Sequence, residues 1–96
     1  MWLRMMLHDR IVIAQHVVAR KVGDEIALLD LDNGTYFGLN EMGSRIWELI
    51  ADGKSLSEIC DLLLAEFDVV RDILDADVRE LARELNAKGL IRIGED

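Results

Sequence analysis

Glu25-Ile-Ala-Leu-Leu-Asp-Leu-Asp-Asn-Gly-Thr-Tyr-Phe-Gly-Leu39 is the stretch on which the fold turns. Asn33-Gly34 sits between two apolar runs. That dipeptide is the signature of a two-residue type I′ hairpin, whose central residues both take positive φ. The stretch therefore reads as two antiparallel strands, Glu25 to Asp32 and Thr35 to Leu39. Upstream, Val22-Gly23-Asp24 is a second turn signal. Ile11-Val-Ile-Ala14 and His16-Val-Val-Ala-Arg-Lys-Val22 are rich in β-branched residues and read as strand. Successive hairpins predict an antiparallel meander whose outer strands are the first and the third.

Past Leu39 the apolar period changes from two to between three and four. Asn40 is placed to cap a helix from Glu41 to about Ile50, with Met42, Ile46 and Leu49 on one face and Trp47 and Ile50 beside them. Gly53 lies just past its end. Ser55-Leu-Ser-Glu58 is a capping box, and the helix it opens carries Leu56, Ile59, Cys60, Leu63 and Phe67 at helical spacing. A third helix is expected to begin between Asp72 and Asp75 and to end at Lys88-Gly89, with Leu74, Val78, Leu81 and Leu85 as its apolar stripe. Leu90-Ile-Arg-Ile93 follows as a short extended piece. A three-stranded antiparallel sheet followed by three helices, sharing one core, is an α+β fold.

The chain of 96 residues is one domain, and 51% hydrophobic with 31% charged residues describes a folded globular protein. Eleven Lys and Arg against 19 Asp and Glu leave a net charge of -8, which argues against generic nucleic-acid binding. The single Cys60 excludes an internal disulfide and a multi-cysteine zinc site, and points to the cytosol. Arg4, His8, Asp9 and Arg10 interrupt the apolar start, so neither a signal peptide nor a membrane span is expected there. That start reads as an ordinary terminal segment or an extra strand.

No active site assembles from these residues. His8, His16 and Cys60 are the only imidazole or thiol groups and lack metal-ligand spacing; Cys60 lies on an apolar helical stripe, where a buried thiol is inert. His16 opens a strand and reads as a half-exposed sheet residue. The acidic pairs Asp30/Asp32 and Asp75/Asp77 lie at a hairpin and near a helix start, where they have structural uses, and the EF-hand pattern is absent. No glycine-rich phosphate loop exists. The sequence predicts a protein that is not an enzyme, with no metal and no cofactor.

Two binding roles remain. The last two helices with flanking strands suit a winged helix-turn-helix, so a DNA-binding transcription regulator is one reading. From Arg71 to Lys88, however, Arg71, Arg79, Arg83 and Lys88 are outnumbered by Asp72, Asp75, Asp77, Glu80 and Glu84. A recognition helix set against phosphates should not be net negative. The other role uses the edge of the third strand, whose Thr35-Tyr-Phe-Gly-Leu39 carries no charge and no proline to blunt it, and whose Gly38 lets another backbone approach. The amino-terminal segment or a second copy of the chain, in a homodimer, are other occupants of that edge.

The run Leu29 to Asn40, then Gly43-Ser-Arg-Ile-Trp-Glu-Leu-Ile50, Gly53 and Leu85-Asn-Ala-Lys-Gly-Leu90, resembles the PqqD-like recognition elements that bind precursor peptides in ribosomal-peptide biosynthesis. The likeness covers residues 16–93 and leaves residues 1–15 as an amino-terminal extension. Tyr36-Phe-Gly-Leu-Asn40 followed by Gly-x-x-Ile-Trp is most similar to the free-standing leader-binding proteins of lasso peptide biosynthesis. The resemblance implies a winged helix-turn-helix relative that binds a leader peptide as a strand added to the third strand, in a groove between that strand and the third helix. It implies a site of Thr35, Tyr36, Phe37, Gly38 and Leu39, with a helix wall drawn from Val78, Leu81, Ala82 and Leu85 and with Arg79 or Arg83 as ion-pair partners. The expected function is a non-catalytic cytoplasmic adaptor that hands the precursor to a separate processing enzyme, a lasso-type leader peptidase or another peptide-modifying enzyme. A Cys60-dependent hydrolase is a third reading, from another class.

Overall fold

Two turns set the register of the sheet in the computed structural model, which describes residues 10–94. The first is a two-residue loop at Gly23-Asp24 that joins β2 (Val17–Val22) to β3 (Glu25–Asp30), with Val22 opposite Glu25. Gly23 takes φ +63°, which the primed turns of two-residue hairpins require. The second, from Asp30 to Thr35, is a four-residue loop leading into β4 (Thr35–Leu39). The two-residue hairpin expected at Asn33-Gly34 is thus corrected, and its physical cause is Asp30. That carboxylate is buried and accepts the Asp32 N–H at 2.9 Å, so the strand ends two residues early. Gly34 N–H then closes back on the Asp30 carbonyl at 2.8 Å, and Asn33 Oδ1 accepts from the Thr35 amide and hydroxyl.

The sheet order is β2-β3-β4, all antiparallel, so β2 and β4 are its edges. The apolar run at Ile11 is not part of this meander. β1 (Arg10–Ile13) pairs with β5 (Ile91–Gly94) in a separate two-stranded sheet, with Ile11 opposite Ile93. Ile11, Ile13 and Ile93 pack against the core. The readings made of residues 1–9, His8 included, lie outside the described residues.

The helices are α1 (Glu41–Ala51), α2 (Leu56–Glu66) and α3 (Arg71–Ala87). Asn40 caps α1 by accepting the Gly43 N–H at 2.8 Å, and Ser55 with Glu58 forms the reciprocal capping box of α2. α3 starts one residue before the expected window and has no side-chain cap; Arg71 instead reaches across to Asp61 of α2 at 2.7 Å. Its far end closes with Leu90 N–H on the Leu85 carbonyl and Gly89 N–H on that of Asn86, with Gly89 at φ +75°. This Schellman turn reverses the chain into β5.

One core lies between the sheet and the helices. Leu28, Ile46, Leu56, Ile59, Leu63, Leu74, Val78 and Leu85 are its largest fully buried aliphatic side chains. Each such side chain contributes about 1.5–3 kcal/mol of transfer free energy. Ser44 is buried among them and links α1 to the sheet. It accepts the Ile26 N–H at 2.7 Å and donates to the Leu39 carbonyl at 3.1 Å, bridging β3 and β4 where the ladder splays. On α3 the buried stripe is Leu74, Val78, Ala82 and Leu85, while Leu81 is only half-buried, a correction to the expected stripe. Among the described residues no helix is long and apolar enough to cross a membrane.

Candidate functional site

The outer edge of β4 carries no strand among the described residues; β1 pairs with β5 instead. Which backbone groups that edge offers follows from the ladder. Leu31 N–H donates to the His16 carbonyl at 2.8 Å, so odd-numbered residues at that end of β3 turn toward β2 and even-numbered ones toward β4. Ile26 N–H, directed at Leu39 through Ser44, agrees. Thr35, Phe37 and Leu39 therefore turn their backbone groups inward, toward β3. The N–H and C=O of Tyr36 and Gly38 point out, four groups on an open edge.

Side chains alternate in step. Phe37 and Leu39 turn toward the helices, while Tyr36 is 74% exposed and Gly38 lies on the outer face with it. A Cβ built on Gly38 meets nothing within 4 Å, so its surroundings are open. Beside the edge runs a groove of about 620 Å³. Phe37, Gly38 and Leu39 form one wall, Met42 and Ile46 of α1 the floor, and Leu81 with Asp77, Glu80 and Glu84 of α3 the opposite wall. At the other end of β4 a smaller recess of about 280 Å³ is lined by Thr35, Tyr36, Phe37 and Lys88, and the Lys88 ammonium lies 5.5 Å from the centre of the Phe37 ring. Phe37 borders both recesses.

Of the residues expected at the site, the structure gathers Phe37, Gly38, Leu39 and Leu81 in the larger groove and sets Thr35 and Tyr36 at its neighbour. Val78, Ala82 and Leu85 are fully buried and support the helix wall from behind. Arg79 and Arg83 are not among the residues lining either recess, and Arg83 pairs with Glu80 at 3.4 Å. The sequence reading missed Asp77, Glu80 and Glu84. Their signal was spacing: three and four apart, they share one helical face, but a run of charge on a helix reads first as a solvated surface.

The other chemically capable groups lie apart from this groove's lining. Cys60 is 2% exposed, and burial, reinforced by Asp75, pushes its thiol up to about 12, far from a reactive thiolate. His16 converges with Asp30 and Asp32, fourteen and sixteen residues further along the chain, because β2 and β3 pair: Nε2 is 3.7 Å from Asp30 and Nδ1 3.6 Å from Asp32. One ligand-type atom from each lies within 4.8 Å of the others, an arrangement the spacing of His residues alone could not reveal. Asp30 Oδ1 is meanwhile held by the Asp32 amide.

Comparison with known proteins bears on the family and the fold. Residues 25–91 match the family described as coenzyme PQQ synthesis protein D (PqqD). The chain is similar to a solved structure of TbiB1 in complex with the TbiA(beta) leader peptide, with 42% identity and a TM-score of 0.82, over 88% of this chain and 99% of that one. A second similar structure is a lasso peptide synthetase B1 complexed with the leader peptide, with 23% identity and a TM-score of 0.78, over 84% of this chain and 95% of that one. At that identity the second likeness speaks for the fold alone. No curated protein matches the chain.

Proposed function

Since the chain belongs to the PqqD family by its match over residues 25–91, we propose that it is a non-catalytic adaptor that binds the leader peptide of a ribosomally made precursor. The leader adds as a strand to β4 and is delivered to a separate processing enzyme in the cytosol, a lasso-type leader peptidase. The observation that carries this reading is the open β4 edge, with the Tyr36 and Gly38 backbone turned outward beside a preformed groove. The 42% identity to a protein solved with its leader peptide supports it.

Strand addition divides recognition into two parts. Backbone hydrogen bonds to Tyr36 and Gly38 hold any extended peptide. Alternate side chains of the visitor enter the groove, where Phe37, Met42 and Leu81 present apolar surface, and these choose among peptides. Nothing in such a mechanism makes or breaks a covalent bond. The buried Cys60 supplies no nucleophile to it, so Cys60→Ala should retain leader binding and delivery, which separates the adaptor from a thiol hydrolase.

The test is fluorescence anisotropy with a labelled leader peptide from the neighbouring precursor gene, run at low and high salt, with duplex DNA as the competing ligand. The adaptor reading expects saturable binding to the leader with at most a shallow salt dependence, weakened by Gly38→Pro. Steeply salt-sensitive binding to DNA with none to the leader would instead restore the regulator. Delivery is read separately, as an increase in the peptidase's cleavage rate when the protein is added, lost with Gly38→Pro.

A further inference from the structure

The larger groove is polarised. Asp77, Glu80 and Glu84 border it from α3, and no Lys or Arg is among the residues that line it. All three carboxylates are exposed, and no core contact requires them. Spaced three and four apart on one helical face, they repel one another. Arg83 on the same helix meets Glu80 at 3.4 Å. The rest of the lining includes the apolar side chains of Phe37, Leu39, Met42, Ile46 and Leu81. A ligand suited to both features has an aliphatic body and a cationic end, as Lys and Arg do when the stem packs on apolar surface and the head stays in water.

Resting on the reading of this groove as the seat of the leader peptide, we propose that the protein selects a basic leader segment. At least one Lys or Arg stands among the alternate side chains that face α3, and Asp77 and Glu84 read it. The ligand's charge would relieve repulsion already present on the helix, so the same carboxylates that attract a cationic segment reject an acidic one. This reverses the expected ion pairing through Arg79 or Arg83, neither of which lines the groove.

The experiment compares three labelled peptides: the leader from the neighbouring precursor gene, the same peptide with every Lys and Arg changed to Gln, and a third with them changed to Glu. Each is titrated against the wild-type protein, Asp77→Asn/Glu84→Gln and Glu84→Lys. Thermal unfolding of each variant confirms that these exposed changes leave the fold intact. The expected result is a loss of about three- to tenfold for the double neutral variant with the native leader, the range for two exposed ion pairs. The Gln peptide should show a similar loss on wild type and none further on the double variant, while Glu84→Lys should reverse the preference between native and Glu peptides. Added salt should narrow these differences. Native and Gln peptides binding wild type equally would overturn the basic-leader inference and leave the adaptor standing. No binding of the native leader to wild type would overturn both.

Discussion

The two edges of one sheet are treated in opposite ways. β2 presents Arg20 and Lys21 along its exposed length, and Lys21 is tied to Glu48 of α1 at 3.2 Å. Charge of this kind is a common means of discouraging another strand from pairing. β4 has none: Thr35-Tyr-Phe-Gly-Leu39 is uncharged, and a groove lies beside it rather than solvent alone. Both strands pair with β3 and both leave half their backbone groups unused. What separates the charged edge from the uncharged one here is therefore side-chain chemistry together with the groove beside β4, since both strands leave backbone hydrogen-bonding groups unused.

The largest effect is expected at the strand that both edges share. Leu28 of β3 is fully buried, with Ala19 of β2 and Phe37 of β4 as its cross-strand partners. Leu28→Ala should destabilise the protein by about 2–5 kcal/mol, measured by urea unfolding, and lose both edges together. A more selective break uses proline at matched positions. The Gly38 amide faces the open side of β4, and by the same alternation the Ala19 amide faces the open side of β2. Neither proline removes a ladder bond. Gly38→Pro should weaken leader binding by about tenfold or more through a lost donor and a clash with the visiting strand, while Ala19→Pro should leave the titration unchanged. Equal effects of the two would show that the edges are not functionally distinct.

Much of this contrast was legible in the sequence, because its causes are local. The uncharged run at β4, the Asn40 cap, the Ser55-Glu58 box and the apolar spacing of all three helices each depend on residues a few positions apart. What was not legible depended on distant partners. Ile11–Ile13 reads as strand from its composition, but its partner is Ile91–Ile93, about eighty residues away. The Asn33-Gly34 pair promised a tight hairpin, and the buried Asp30 carboxylate imposed a wider loop. At the site, the β4 residues were readable from their own run. The acidic wall was not, since nothing in α3 alone shows which of its polar faces meets a strand edge.

The blunted edge can be made to resemble the open one. Arg20→Thr with Lys21→Val removes the charge from β2 and should produce concentration-dependent self-association by sedimentation, with no gain in leader binding because β2 has no groove of the same make. The smallest effect isolates the Lys21–Glu48 pair itself. A hydrogen bond from Lys21, assisted by Arg45, holds the Glu48 carboxyl below the ordinary glutamate range. A carboxylate depressed in the folded state contributes stability above its unfolded pKa of about 4.3, and that contribution fades as pH falls through the lower folded value. Lys21 is 60% exposed, so the pair is screened and is worth only about 0.2–1 kcal/mol. Lys21→Met should therefore lower stability slightly at pH 7, with the difference from wild type shrinking toward pH 3. A difference that held constant across that range would assign the role of Lys21 to packing of its stem rather than to its charge.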